Sequence, residues 1–209
     1  MTDKQNDAPK DQDALNAEHK ARMQEQQAAV REKVRAAREK RGTLIVITGN
    51  GKGKSTSGFG TITRALGYDL KTAVVQYVKG TWPCGERDLL QKLGVPFHVM
   101  GTGFTWDTQD RDKDIAAAKE AWEASKKFLA DPEIHVLLLD ELTYMLSYEY
   151  LDLDEVLEAL ANRPDNMTVV VTGRDAHPRL VELADTVSDV TPIKHAFEAG
   201  IKARKGVDW

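Results

Sequence analysis

Eight consecutive residues, Gly49 to Thr56 (GNGKGKST), hold three glycines, two lysines and two hydroxyl side chains. These are the residue types that cradle a phosphate chain. Glycine lets backbone N–H groups approach oxygens with no Cβ in the way. Lys54 supplies a point charge, and the neighbouring Ser55 supplies a hydroxyl for Mg²⁺. The usual pattern is glycine, four residues, then Gly-Lys-Ser/Thr. Here three residues separate Gly49 from Gly53-Lys54-Ser55, and Thr48 stands where the glycine is expected. Loop length sets how far the backbone wraps a phosphate chain, so this shorter loop predicts phosphate binding in an altered pose. Position gives the motif its weight. It joins the β-branched run TLIVIT (43–48) to a helix-forming stretch, which puts backbone donors and the positive end of a helix around an anion.

A second chemical element is VLLLDELTYML (136–146), in which Asp140 and Glu141 close a continuous apolar run. Open parallel sheets bind ligands at the carboxyl ends of their strands. Two carboxylates there can orient Mg²⁺ or activate water. Phe104 and Trp106, in GTGFTW, read from the residues alone as loop aromatics capping a core. His98, His135, His177 and His195 are scattered without metal-ligand spacing, and His177 before Pro178 fits a helix entry. The lone Cys84 makes no internal disulfide and reads as a reduced, inert thiol.

The elements that must position these groups alternate. After the phosphate loop, a helix runs from Lys54 to near Gly67. KTAVVQYV (71–78) and VPFHVM (95–100) read as strands, 112–130 as a long helix, IHVLLLD (134–140) as a strand buried on both faces. A helix over 153–164, a strand over 167–173, and a final helix (PRLVELAD) and strand (TVSDVTPI) complete the pattern. Strands alternating with helices predict an α/β, P-loop NTPase-like fold: a mostly parallel sheet flanked by helices on both faces. Residues 1–42 differ. Residues 1–14 have too little apolar surface to offset chain entropy and read as disordered. From about Leu15 the composition favours helix, with Met23, Val30, Val34 and Ala37 forming one sparse apolar stripe. The chain thus divides into a polar N-terminal helical arm (1–42) and a nucleotide-binding domain (43–209).

The 209 residues carry 41% hydrophobic and 30% charged side chains and a net charge of −4, ordinary for a globular protein. That balance gives no general attraction to nucleic acid or to an anionic membrane. No apolar run reaches the roughly 18 residues of a membrane span, and the N-terminus lacks a secretory apolar core. The expected location is cytoplasmic.

Taken with MGTGFTWDTQDRDKD (100–114), GERDLL and VTGRDAHPRLVELAD, these elements resemble the P-loop-type bacterial ATP:corrinoid adenosyltransferases, also called cob(I)yrinic acid a,c-diamide adenosyltransferases. The similarity runs from about Thr43 to Trp209. In that family the short loop is itself a signature. The resemblance implies that the cobalt of a reduced Co(I) corrinoid attacks the 5′-carbon of ATP and that triphosphate leaves, in adenosylcobalamin biosynthesis or salvage. It further implies that Gly49, Asn50, Gly51, Lys52, Gly53, Lys54, Ser55 and Thr56 hold the triphosphate, with help from Arg64 and Arg174. Ser55, where the family usually has threonine, and Glu141 would hold Mg²⁺ (or Mn²⁺). Phe104 and Trp106 would lie beneath the corrin ring, displace its lower ligand, and with Lys54 form the catalytic set.

By the same resemblance the partners are a flavoprotein reductant such as flavodoxin and a second copy in a homodimer, with no nucleic acid or membrane. The arm would close over the active site; its stretch Arg31 to Arg41 carries six Lys/Arg and two acids. The alternative is a P-loop ATPase or small-molecule kinase, in which Asp140 and Glu141 serve γ-phosphate chemistry.

Overall fold

The structure, a computed structural model, describes residues 12–78, 83–101 and 110–208. It divides into two compact units, Met1–Lys40 and Arg41–Trp209. In the first, helix α1 spans Gln12–Ala36 and buries none of its residues. It begins three residues before the expected Leu15, and its Ala, Gln, Glu, Lys and Arg content supports helix by intrinsic propensity. Met23, Val30 and Val34 of the sparse stripe are all exposed.

The second unit is built on one six-stranded sheet. In chain order come β1 (Leu44–Thr48), α2 (Lys54–Leu66), β2 (Thr72–Gln76), α3 (Gly85–Lys92), β3 (Phe97–Val99) and α4 (Arg111–Leu129). They are followed by β4 (Val136–Asp140), α5 (Leu142–Ser147), α6 (Leu153–Ala161), β5 (Thr168–Thr172), α7 (Pro178–Leu183) and β6 (Thr186–Asp189). The spatial order is β3-β2-β4-β5-β1-β6, and every pairing is parallel. The phosphate-loop strand β1 and the acidic strand β4 are therefore separated by β5 alone.

Successive strand residues face opposite sides, and the core splits accordingly. Val75, Leu137, Leu139, Val169 and Val171 pack with Trp122 of α4, Leu142 and Met145 of α5, and Leu160 of α6. On the other face Ile47, Val74, Leu138 and Val170 pack with Phe59 and Ile62 of α2 and Leu90 of α3. Helices on both faces explain why all five residues of β4 are buried. Side-chain caps set two helix starts: Asp110 accepts from the Lys113 N–H and Asp152 from the Glu155 N–H. His177 does the same for α7, taking the Arg179 N–H at Nδ1, so the helix-entry reading of that residue holds.

The expected α/β, P-loop NTPase-like architecture is present, with most strand ends shifted inward by a residue or two; the last strand stops at Asp189, four residues before the expected Ile193. Two helices had no counterpart in the sequence reading. Helix α3 (GERDLLQK) buries only Leu90 and is too short and charged to show periodicity. Helix α5 follows the apolar run of β4 directly, so its first residues read as more strand. Among the described residues no helix is long and apolar enough to cross a membrane. Cys84 is buried and in no disulfide, and its Sγ donates to Glu86 Oε2 at 3.5 Å.

Candidate active site at the carboxyl edge of the sheet

Strand β1 delivers Thr48 to the sheet edge, where its Oγ1 accepts the Ala176 N–H at 3.2 Å. The chain then turns through Gly49 (φ +97°) and Gly53 (φ +119°), conformations that favour glycine. Gly51 has no room for a side chain: a Cβ there would stand 2.6 Å from the Val190 carbonyl oxygen. Its own N–H donates to that oxygen at 2.6 Å. Helix α2 starts from Gly53 with no side-chain cap, which leaves first-turn N–H groups for an external anion. Lys54 is buried, and its Nζ donates to the Gly51 carbonyl at 2.8 Å, across the loop it serves. Burial pushes its ammonium down from the ordinary lysine value; Glu141 opposes that, Arg174 adds to it, and Asp140 opposes it. One lysine, two acids and an arginine therefore share one electrostatic site. A cavity of about 350 Å³ opens against the loop, lined in part by Thr48, Gly49, Asn50, Asp175, Ala176 and Asp189.

The acids come from the end of β4. Asp140 is fully buried; its Oδ1 accepts the Thr172 hydroxyl at 2.7 Å and its Oδ2 the Gln76 Nε2 at 3.1 Å. Glu141 follows with φ +65° and ψ 21°, a left-handed residue that opens α5. Its N–H donates to Thr172 Oγ1 at 3.0 Å. Gly173, next along β5, has φ +134° and lies against Thr143 and the Glu141 Cα.

The family described as ATP:corrinoid adenosyltransferase BtuR/CobO/CobP matches residues 40–209. This chain belongs to it. The corrinoid adenosyltransferase of Escherichia coli K12 is 56% identical over 192 residues, which cover 90% of this chain and 98% of that one. Corrinoid adenosyltransferase CobA of Salmonella typhimurium is 53% identical over the same length and the same shares. The Pseudomonas aeruginosa corrinoid adenosyltransferase is 50% identical over 193 residues, 91% of this chain and 95% of that one.

Within this adenosyltransferase-family chain the expected site residues do not all converge. The loop from Gly49 to Thr56, Glu141 and Arg174 share the carboxyl edge of the sheet. Arg64 does not. It is exposed on the last turn of α2, ten residues beyond Lys54 and hence about 15 Å along the helix axis. Lys52 reaches Asp208 instead, at 2.6 Å, and that ammonium holds the Asp208 carboxyl below its usual range. Phe104 and Trp106 lie outside the described residues. Gln76, Thr172, Asp189 and Asp208 were not anticipated. For Gln76 and Thr172 a signal existed: each is a polar residue that follows three apolar ones at the carboxyl end of its strand.

Proposed function

We propose that this protein transfers the 5′-deoxyadenosyl group of ATP to the cobalt of a reduced corrinoid and releases triphosphate. The family match carries the reading, because it spans the shortened loop, the acidic strand and GTGFTW together. The Co(I) electron pair attacks the ribose 5′-carbon, a Co–C bond forms, and the C–O bond to the α-phosphate breaks with its electrons leaving on triphosphate. Such a reaction needs no protein acid or base. It needs a held phosphate chain and charge stabilisation where the leaving group develops. The α2 N–H groups, Lys54 and Arg174 supply these.

Ser55 and Glu141 would hold Mg²⁺. The fit is chemical: a serine hydroxyl and a carboxylate are hard oxygen donors, and Mg²⁺ takes one or two carboxylates together with phosphates and water. When bound, the ion supplies charge neutralisation to the triphosphate. Phe104 and Trp106 would displace the lower cobalt ligand, which eases Co(II) reduction by a flavoprotein such as flavodoxin. We place the enzyme in the cytoplasm as a homodimer, with the arm (1–42) closing over the domain at 43–209.

The test is product identity. With ATP, Mg²⁺ and a chemically reduced corrinoid, the expected products are stoichiometric triphosphate and a light-sensitive alkylated corrinoid. ADP and phosphate with an unalkylated corrinoid would overturn the reading in favour of γ-phosphate chemistry.

A further inference from the structure

We propose that Thr172 is a positioning residue for adenosyl transfer: its single hydroxyl ties the buried Asp140 carboxylate to the Glu141 backbone and so sets where the Glu141 carboxylate points. The inference rests on the proposed function for its catalytic meaning, and on the hydrogen bonds alone for its structural content.

A hydroxyl has one proton to give. Thr172 gives it to Asp140 Oδ1 at 2.7 Å and accepts the Glu141 N–H at 3.0 Å, so both directions are used. Gln76 Nε2 donates to the other carboxylate oxygen at 3.1 Å. Two donors converging on Asp140 require it to be an acceptor at both oxygens. Asp140, Gln76 and Thr172 are all fully buried, where a lost partner leaves an uncompensated polar group. The three strands involved, β2, β4 and β5, are adjacent in the sheet, so the relay spans rigid elements.

What the relay holds is an unfavourable conformation. Glu141 sits at φ +65°, in the left-handed region that a non-glycine residue rarely adopts. Such a residue persists where its surroundings over-determine it. The Thr172 bond to the Glu141 N–H is one constraint. The parallel register of β4 and β5 is another. Freed from the hydroxyl, the Glu141 peptide can rotate, and its carboxylate leaves the neighbourhood of Lys54.

Two measurements test this. First, amide hydrogen exchange at Glu141 in the ligand-free protein is expected to be slow in the wild type and in Thr172→Ser. It is expected to be fast in Thr172→Val, which keeps the shape and loses both bonds. Second, Mn²⁺ binding in the presence of ATP, without corrinoid, is read by electron paramagnetic resonance. Loss of an outer-shell partner typically costs roughly 10–100-fold in metal affinity, and Thr172→Val should weaken Mn²⁺ within that range while Thr172→Ser stays near wild type. Unchanged Glu141 exchange in Thr172→Val, or Mn²⁺ affinity equal to wild type, overturns the proposal. So does a Thr172→Ser variant as impaired as Thr172→Val, because the methyl group and not the hydroxyl would then matter. If Thr172→Val does not fold, Thr172→Cys, of similar size with a weak donor, carries the same comparison. Triphosphate release by the wild type, followed alongside, tests the reaction separately: its absence would reject adenosyl transfer and leave the exchange result standing.

Discussion

Replacing Gly173 with alanine should damage the protein through two separable causes. Gly173 has φ +134°, where an added Cβ meets its own backbone, and strain of this kind costs about 1–3 kcal/mol. The same Cβ would also press on Thr143 Oγ1, with Thr143 Cβ only 3.2 Å away. Forcing an extra methyl into a packed site adds about 1–3 kcal/mol. Thr143 is fully buried, and its hydroxyl has no partner among the described residues. Thr143→Ala therefore removes the nearest obstacle, the hydroxyl, without breaking a hydrogen bond among the described residues. Gly173→Ala alone should cost about 4 kcal/mol at mid-range, a fall in Tm of roughly 8–16 °C for a domain of this size. In the Thr143→Ala background the hydroxyl clash is gone and only the alanine Cβ remains at 3.2 Å, so the cost should fall toward the conformational share, about 2 kcal/mol. The assay is a four-protein cycle of thermal or urea unfolding, with adenosylation followed on the folded variants. Equal costs in the two backgrounds, within about 0.5 kcal/mol, would refute the steric half of the reasoning. A neutral Gly173→Ala would refute both halves.

Three further outcomes are expected. Lys54→Met, which keeps the buried stem, should lower kcat/KM for ATP by about 10²–10³, as loss of one preorganised charge-stabilising group does; steady-state kinetics check it, and a loss of a few-fold would remove Lys54 from the phosphate site. Asp185 accepts both Arg41 guanidinium nitrogens, at 3.0 and 2.6 Å, and the Leu44 N–H at 2.8 Å. The Arg41 hydrogen bond, foremost among these contacts, holds its carboxyl well below the ordinary 3.8. A depressed carboxylate stabilises the fold above its unfolded value and loses that contribution as pH falls below it. Melting temperatures should therefore drop steeply below 3.8 in the wild type, and Asp185→Asn should be less stable at neutral pH yet flatter in acid. Phe104→Ala and Trp106→Ala should alkylate pre-reduced Co(I) corrinoid at rates near wild type. When the reaction starts from Co(II) with a flavoprotein donor, they should fall by roughly 10–100-fold, and equal losses under both regimes would contradict a role in lowering the reduction barrier.

Much of this protein was legible before any coordinates. Phosphate chemistry announces itself locally, because glycines, lysines and hydroxyls must be neighbours in the chain to share one turn. The parallel sheet was legible for the same reason: buried runs such as VLLLD and β-branched runs such as LIVIT are short-range signals, and their alternation with helices restricts topology. Helices α3 and α5 escaped because neither is long enough for a helical period to stand out from its flanks.

The sequence by itself determined the loop and its shortened spacing, the acidic pair, and the order of strands and helices along the chain. Only the tertiary structure decided which distant residues complete the site. Asp140 meets Gln76 and Thr172 across separations of 64 and 32 positions, because strand order in a parallel sheet is not chain order. Arg64 and Arg174 both sit in motif-like stretches. Helix rise carries Arg64 away from Lys54, and the end of β5 returns Arg174 to it. Gly49 and Gly51 are needed because the end of β6 leads Asp189 and Val190 against them. No local pattern encodes such meetings. They arise when the sheet closes and brings the carboxyl ends of separate strands to one edge.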